Sequence, residues 1–514
     1  MKPIWRAGNP ARSRLLAGCV RTRTFAVLLL CVPAAITLPA QTLTTLFSFD
    51  GSSAVGSNPL AGLVQATNGA LYGSTEYGGF HNCGTIFAIT LSGALTTVHN
   101  FYGSPCDYLP ATLIQAANGD LYGIMERGGG MATDYCLGGC GTVFKVTPTG
   151  TLTTLHAFCS DTQITCDDGM LPDGGLVQAG NGDVYGTTSA GGASTYGFVT
   201  GPGTVFSIAP SGTLTTIYSF CLQSECPDGA VPYAGLVQAT NGELYGTTGN
   251  GGTLGFCPPQ TSYLQGCGTV FKMTPSGTLT TLHNFCSLSG CADGSLPTAA
   301  LVQAANGGLY GTTSSGGAGN SGTVFSITPS GALTTLYSFC SQSGCPDGAG
   351  PYTGLVQATD GNFYGTTEGG GANGLGTVFK ITPAGALTTL VSFDGANGST
   401  PEAGLVQATN GNLYGTTETG GANGDGTVFS LSVGLGPFVE TQPHFGAVGT
   451  AITILGPDLT GATSVTFNGT AAVFDVESPT YIRTTVPAGA TTGKVEVTTP
   501  GDTLLSGFPF LVQP

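Results

Sequence analysis

Charge is scarce in this chain: Asp, Glu, Lys and Arg together make up 8% of its 514 residues. Solvent-exposed helices laced with ion pairs are thereby excluded as the main architecture. Basic residues are scarcer still, and half of the 12 Lys and Arg fall among the first 40 residues, at Lys2, Arg6, Arg12, Arg14, Arg21 and Arg23. Beyond residue 40, 6 basic residues face 28 acidic ones, a net charge of about −22, which makes nucleic acid a very poor partner. Tryptophan is nearly absent; the single Trp5 lies in the basic leader, which weakens any case for a sugar-stacking platform. Long apolar runs are missing apart from Phe25 to Ile36. That run is too short for a membrane span, and with the basic residues before it and Leu38-Pro39-Ala40 after it, residues 1–40 read as a secretory signal. Leu16-Ala17-Gly18-Cys19 matches a lipoprotein box in letters, but no apolar segment precedes it. No GxSxG, HExxH, phosphate-binding glycine loop or dinucleotide fingerprint stands in a suitable context, so no cofactor is identified.

What is abundant is glycine, 86 residues, and repetition. One cassette, cleanest as GLVQATNGNLYGTT, a Gly-rich gap, GTVFSITPSGALTTLYSF and a Pro-bearing gap, recurs seven times, with its Tyr at 72, 122, 185, 245, 310, 364 and 414. Each copy holds four strand-like runs, A (GLVQAT), B (NLYGTT), C (GTVFSIT) and D (ALTTLYSF). Asn-Gly between A and B predicts a tight two-residue hairpin. Four antiparallel strands repeated seven times predict an all-β, seven-bladed β-propeller over residues 41–433. The last copy lacks its D run, while an orphan LTTL at Leu43 to Leu46 precedes the first. A ring closed by its own N-terminal strand accounts for both ends. From residue 434 to 514 a different alternation of apolar and polar residues predicts a small Ig-like β-sandwich.

Loop lengths divide the ring into two faces. The distance from the strand A Gln to the strand B Tyr is 7 residues in every copy, and from the GTVF Phe to the next strand D Leu it is 8. From Tyr to the Gly of GTVF it is 12 in four copies but 19, 18 and 23 in blades 2, 3 and 4. Variation is thus confined to the B–C and D–A connections, which share one face, and ligand contacts are expected there; drift in unconstrained loops is the alternative.

Four residues after the Tyr stand Glu76, Glu126, Glu368 and Glu418, an arc of carboxylates across blades 6, 7, 1 and 2 that could hold Ca²⁺ or another cation, or be solvated surface charge. Tyr135, Tyr196, Phe198, Phe256 and Tyr263 in the long loops could form a platform for a ligand. Asp-Gly pairs in the D–A loops read as turns, with a metal or ligand ring as the alternative. The seven strand A Gln residues read as ties between blades, with a polar channel lining as the alternative. His99, His156 and His283 share a position with Tyr, Phe and Val, so they read as packing or surface residues.

Fourteen cysteines lie beyond the leader in local couples: Cys83/Cys106, Cys136/Cys140, Cys159/Cys166, Cys221/Cys226, Cys257/Cys267, Cys286/Cys291 and Cys340/Cys345. An even count in a secreted chain reads as disulfides. Metal ligation is set aside because the couples are spread over separate repeats without neighbouring His.

The motifs GLVQATNGNLYGTTETGGANGDGTVF and LTTLYSF resemble the GloVer tandem repeat of secreted bacterial proteins over residues 42–432. GTAITILGPDLTGATSVTFNG and VPAGATTGKVEV in the tail resemble an IPT/TIG domain. These resemblances imply an extracellular or cell-surface location and a spacer or binding tail, with no assigned chemistry. The expected function is therefore binding of an extracellular glycan or protein. A polysaccharide hydrolase or lyase and a structural envelope protein are the rivals.

Overall fold

In a computed structural model of the chain, residues 41–102, 112–129, 136, 138–160, 166–193, 201–252, 257 and 266–513 are described. The expected leader lies outside them. Among the described residues the regular structure is β-sheet, with one short 3₁₀ turn at Ser289–Cys291, and no helix is long and apolar enough to cross a membrane.

Seven four-stranded antiparallel sheets follow one another, each in the order A-B-C-D. Blade 1 holds A Val64–Gln65, B Leu71–Thr75, C Thr85–Ile89 and D Leu95–Asn100. Blade 7 takes A Val406–Gln407, B Leu413–Thr417 and C Thr427–Ser432 from the end of the repeat region, and its outer strand is Thr42–Ser48. The N-terminal strand therefore closes the ring, as the divided cassette requires.

Two sevenfold sets of contacts hold neighbouring blades together. Each strand A Gln accepts, through Oε1, a backbone N–H of the preceding blade: Gln115 from Thr67, Gln178 from Ala117, Gln238 from Gly180, Gln303 from Thr240, Gln357 from Ala305, Gln407 from Thr359 and Gln65 from Thr409, at 2.8–3.0 Å. The last of these crosses the closure. In six blades the Gln Nε2 also donates to the Gly carbonyl four residues on, which leaves the amide satisfied. Nearer the rim, the Phe ending each strand D meets the strand C Phe of the next blade edge to face, from Phe49–Phe87 at 5.4 Å to Phe393–Phe429 at 5.5 Å. Strand B is buried along its whole length in every blade, and its Gly lets the Phe of strand C lie against the backbone; a Cβ on Gly73 would come within 2.7 Å of the Phe87 ring.

The A–B turn differs from the two-residue hairpin expected from Asn-Gly. Gly69 N–H donates to the Ala66 carbonyl and Ala66 N–H to the Ala70 carbonyl, which makes a longer loop with Gly69 alone at positive φ, 79°. Asn68 stays out of the left-handed region because its side chain is already used: it accepts the Ala70 N–H and donates to the Tyr72 hydroxyl. A type I turn followed by a left-handed Gly is the three-residue alternative for such a loop.

The remaining strands, from Glu440–Gln442 to Leu511–Gln513, form two further four-stranded sheets and a short parallel pair around a core that includes Val439, Ile454, Phe467, Ile482, Val497 and Phe510. This sandwich sits against the A–B turns: Phe438 N–H donates to the Thr409 carbonyl at 2.9 Å, and the Thr480 hydroxyl to the Thr67 carbonyl at 2.6 Å.

Candidate functional site

Six of the expected disulfides are present, Cys136–Cys140, Cys159–Cys166, Cys221–Cys226, Cys257–Cys267, Cys286–Cys291 and Cys340–Cys345. Cys83 is also disulfide-bonded, and Cys106 lies outside the described residues. The couples are less scattered than their repeat positions suggest. In blade 2 the Sγ atoms of Cys140, Cys159 and Cys166 all lie within 4.8 Å of one another, and in blade 4 so do those of Cys267, Cys286 and Cys291. The B–C and D–A loops of these blades are thus pinned side by side on the variable face.

The D–A aspartates serve their turns. Asp228 accepts the Cys221 N–H and the Tyr218 hydroxyl, and Asp347 accepts the Cys340 N–H and the Tyr337 hydroxyl. Asp168 and Asp293 take His156 and His283 in the same way, at 2.9 and 3.0 Å. In these four blades the His or Tyr on strand D therefore anchors the following turn, whereas His99 at the same position of blade 1 meets the Gly150 carbonyl of blade 2 at 3.2 Å. Tyr135, Tyr196, Phe198, Phe256 and Tyr263 lie outside the described residues.

The four glutamates stand just beyond the inner strands B, half-buried, and two of them are perturbed. Burial raises the Glu76 carboxyl above the usual range, with repulsion from Glu418 and Glu126 adding to it. Burial also raises Glu126, against the pull of Arg127, whose Nε lies 3.6 Å from its carboxylate.

Two carboxyls that sequence reasoning passed over belong to the same group. Asp173 is pushed up to about 7 by burial and then by Glu126, despite a hydrogen bond with Ser189. Glu402 also reaches about 7, through desolvation first and then Glu418, Glu368 and Glu76. Both follow the fixed Pro of the D–A connection, a position occupied in the other described blades by Leu60, Tyr233, Thr298 and Tyr352. The Tyr233 and Tyr352 hydroxyls are raised by burial and then by these carboxylates, and the buried Thr298 hydroxyl has no hydrogen-bond partner among the described residues. The signal was available: one position keeps changing its chemistry beside a Pro that never changes. The result is a crown of mutually repelling carboxylates, drawn from blades 6, 7, 1, 2 and 3, with phenols from blades 4 and 6.

The family model for the Gloeobacter/Verrucomicrobia repeat matches residues 34–200, 138–290 and 255–473. The chain belongs to this repeat family. The IPT/TIG domain model matches residues 439–511, the sandwich. A comparison with curated protein sequences finds no match. Among solved structures, this repeat protein is similar to the extracellular domain of BT3049, assigned as a hybrid two component system of B. thetaiotaomicron, with 11% identity and a TM-score of 0.46, over 90% of this chain. The chain spans 54% of that domain's length. It is also similar to a luciferin-regenerating enzyme (10% identity, TM-score 0.40, 78% of this chain and 98% of that one) and to a fungal alcohol oxidase in complex with copper (13%, 0.42, 92% and 98%).

Proposed function

We propose that this protein is an extracellular binding protein whose ligand presents positive charge to the carboxylate crown on the variable face. The observation that carries this reading is the clustering of Glu76, Glu126, Asp173, Glu368, Glu402 and Glu418, close enough to repel one another, with Arg127 set against Glu126. Such a group concentrates negative potential where the loops vary most, and a bound cation would relieve the repulsion. Ca²⁺ is one candidate; a lysine- or arginine-bearing protein surface or a basic glycan is another. Extracellular placement is supported by six disulfides in a chain this acidic. Calorimetric titration with Ca²⁺ and with oligolysine tests the reading. The combined variant Glu76→Gln, Glu126→Gln, Glu368→Gln and Glu418→Gln is expected to weaken whichever binds by about tenfold or more. Equal affinity of variant and wild type, or binding of neither cation by wild type, overturns it.

One observation favours a second reading. Asp173 and Glu402, at about 7, have the protonation behaviour a general acid needs near neutral pH, as a polysaccharide hydrolase or lyase would use. Release of reducing ends or unsaturated products from a panel of acidic and neutral polysaccharides, lost in Asp173→Asn or Glu402→Gln, would establish it. No product from any of them removes it.

A further inference from the structure

Strand A is only two residues long in each blade, so the inner wall of the ring is thin and its valines line open space at the constant face. The sandwich closes over that end and leaves a cavity of about 610 Å³, within the range of small-molecule sites. Val302, Val356 and Val406 line it from the ring, and Phe445, Phe508 and Leu511 from the sandwich.

The lining also carries Gln238, Gln303, Gln357 and Gln407, whose Oε1 atoms are already used between blades, and one ionisable pair. Along the strand Glu440–Gln442, Thr441 is buried at 3% exposure, so alternation turns Glu440 away from the sandwich interior, and it lines the cavity. The Glu440 carboxylate accepts no hydrogen bond among the described residues. Its one ionisable neighbour within 4 Å among the described residues is His444, Nε2 to Oε1 3.9 Å, beyond hydrogen-bond reach. Burial holds this carboxyl above the usual range, with His444 pulling it partly back. The Glu440 side chain is 29% exposed, so its carboxylate opens onto the cavity, and a ligand that brings N–H donors would supply the hydrogen bonds it lacks.

We propose that this cavity binds a small organic cation, its ammonium or amidinium group paired with Glu440 and its apolar body held between the strand A valines and the sandwich aromatics. The site lies on the face opposite the crown, so it stands independently of the function proposed for that face. Specificity would come from the charge pair and affinity from the apolar walls.

Two probes of equal size, 4-phenylbutylamine and 4-phenylbutan-1-ol, titrated into the full chain by ligand-detected NMR, separate these contributions. The amine is expected to bind about tenfold or more tightly than the alcohol, and Glu440→Gln to reduce it to the alcohol's level while leaving the alcohol unchanged. Ala305 lines the cavity with an exposed side chain and meets Gln357 only through its backbone N–H, so Ala305→Trp fills the space and abolishes binding of both. Should that variant melt early, Thr240→Trp fills the same space from another blade. Equal binding of amine and alcohol, no binding of either, an unaffected Glu440→Gln, or full binding in a filled variant with wild-type melting would each overturn the proposal. The crown variant Glu402→Gln is expected to bind the amine as wild type does, and loss there would place the amine on the other face and overturn the proposal too.

Discussion

Replacing Phe49 by Ala is the sharpest test of ring closure. Phe49 follows the N-terminal strand, is 0% exposed, and meets Phe87 of blade 1 at 5.4 Å. Phe339 has the same place between blades 5 and 6, also 0% exposed, 5.2 Å from Phe379. Truncating a buried Phe costs about 3–5 kcal/mol, of which the edge-to-face contact supplies roughly 0.5–1.5. In a closed ring the two seams are equivalent, so Phe49→Ala and Phe339→Ala should lose similar amounts. For a ring of roughly 390 residues, an unfolding entropy near 2.1 cal/mol/K per residue converts that loss to about 4–6 °C in Tm. Urea unfolding followed by near-ultraviolet circular dichroism, with calorimetry alongside, reads both variants. Deletion of residues 41–49 should go further, since it bares the edge of Thr427–Ser432 and leaves Phe87 without its partner. If Phe49→Ala costs less than about 1 kcal/mol while Phe339→Ala costs the full amount, the closure carries no load and the ring argument fails.

Stability should also depend on pH through the crown. Asp173 and Glu402, at about 7, and Glu76 and Glu126, also raised, hold protons in the folded chain that they release when it unfolds. Between roughly pH 4 and 7 the folded state binds more protons, so their contribution to stability is present at the acid end and falls as pH rises through 7. His99, held low by burial, opposes this below its ordinary value but is common to wild type and variant, so the urea midpoint of Asp173→Asn/Glu402→Gln should fall less than that of wild type between pH 5 and 8. Identical slopes would refute the coupling. Peptide mapping without reduction should recover Cys136–Cys140 with Cys159–Cys166 and Cys257–Cys267 with Cys286–Cys291, although the couples touch. Cross-links between Cys140 and Cys166, or Cys267 and Cys291, would contradict the pairing.

The sequence by itself determined the blade count, the strand order and the closure, because a repeat displays its own register. Seven Tyr, seven Gln and one displaced LTTL leave a single economical arrangement. It also marked Gln65 and its counterparts correctly as ties between blades, since a buried amide must be satisfied and only a neighbouring blade offers the N–H. The Asn-Gly turn was misjudged because the competing bond, from Asn68 to the Tyr72 hydroxyl, joins residues whose proximity depends on the hairpin being formed.

Tertiary structure alone decided what converges. Asp173 and Glu402 each look unremarkable within their own repeat, and they become a site only when ring closure brings blade 7 beside blade 1 and blades 2 and 3 follow. Two cysteine couples, one in a B–C loop and one in a D–A loop, meet because both connections leave the same face. Glu440 shows the limit most plainly. Its strand belongs to the sandwich, its surroundings are completed by the ring, and no pattern along the chain says that the two will enclose a common space. Periodicity fixes which side of a strand a residue takes; what lies opposite that side is set by packing between elements far apart in sequence.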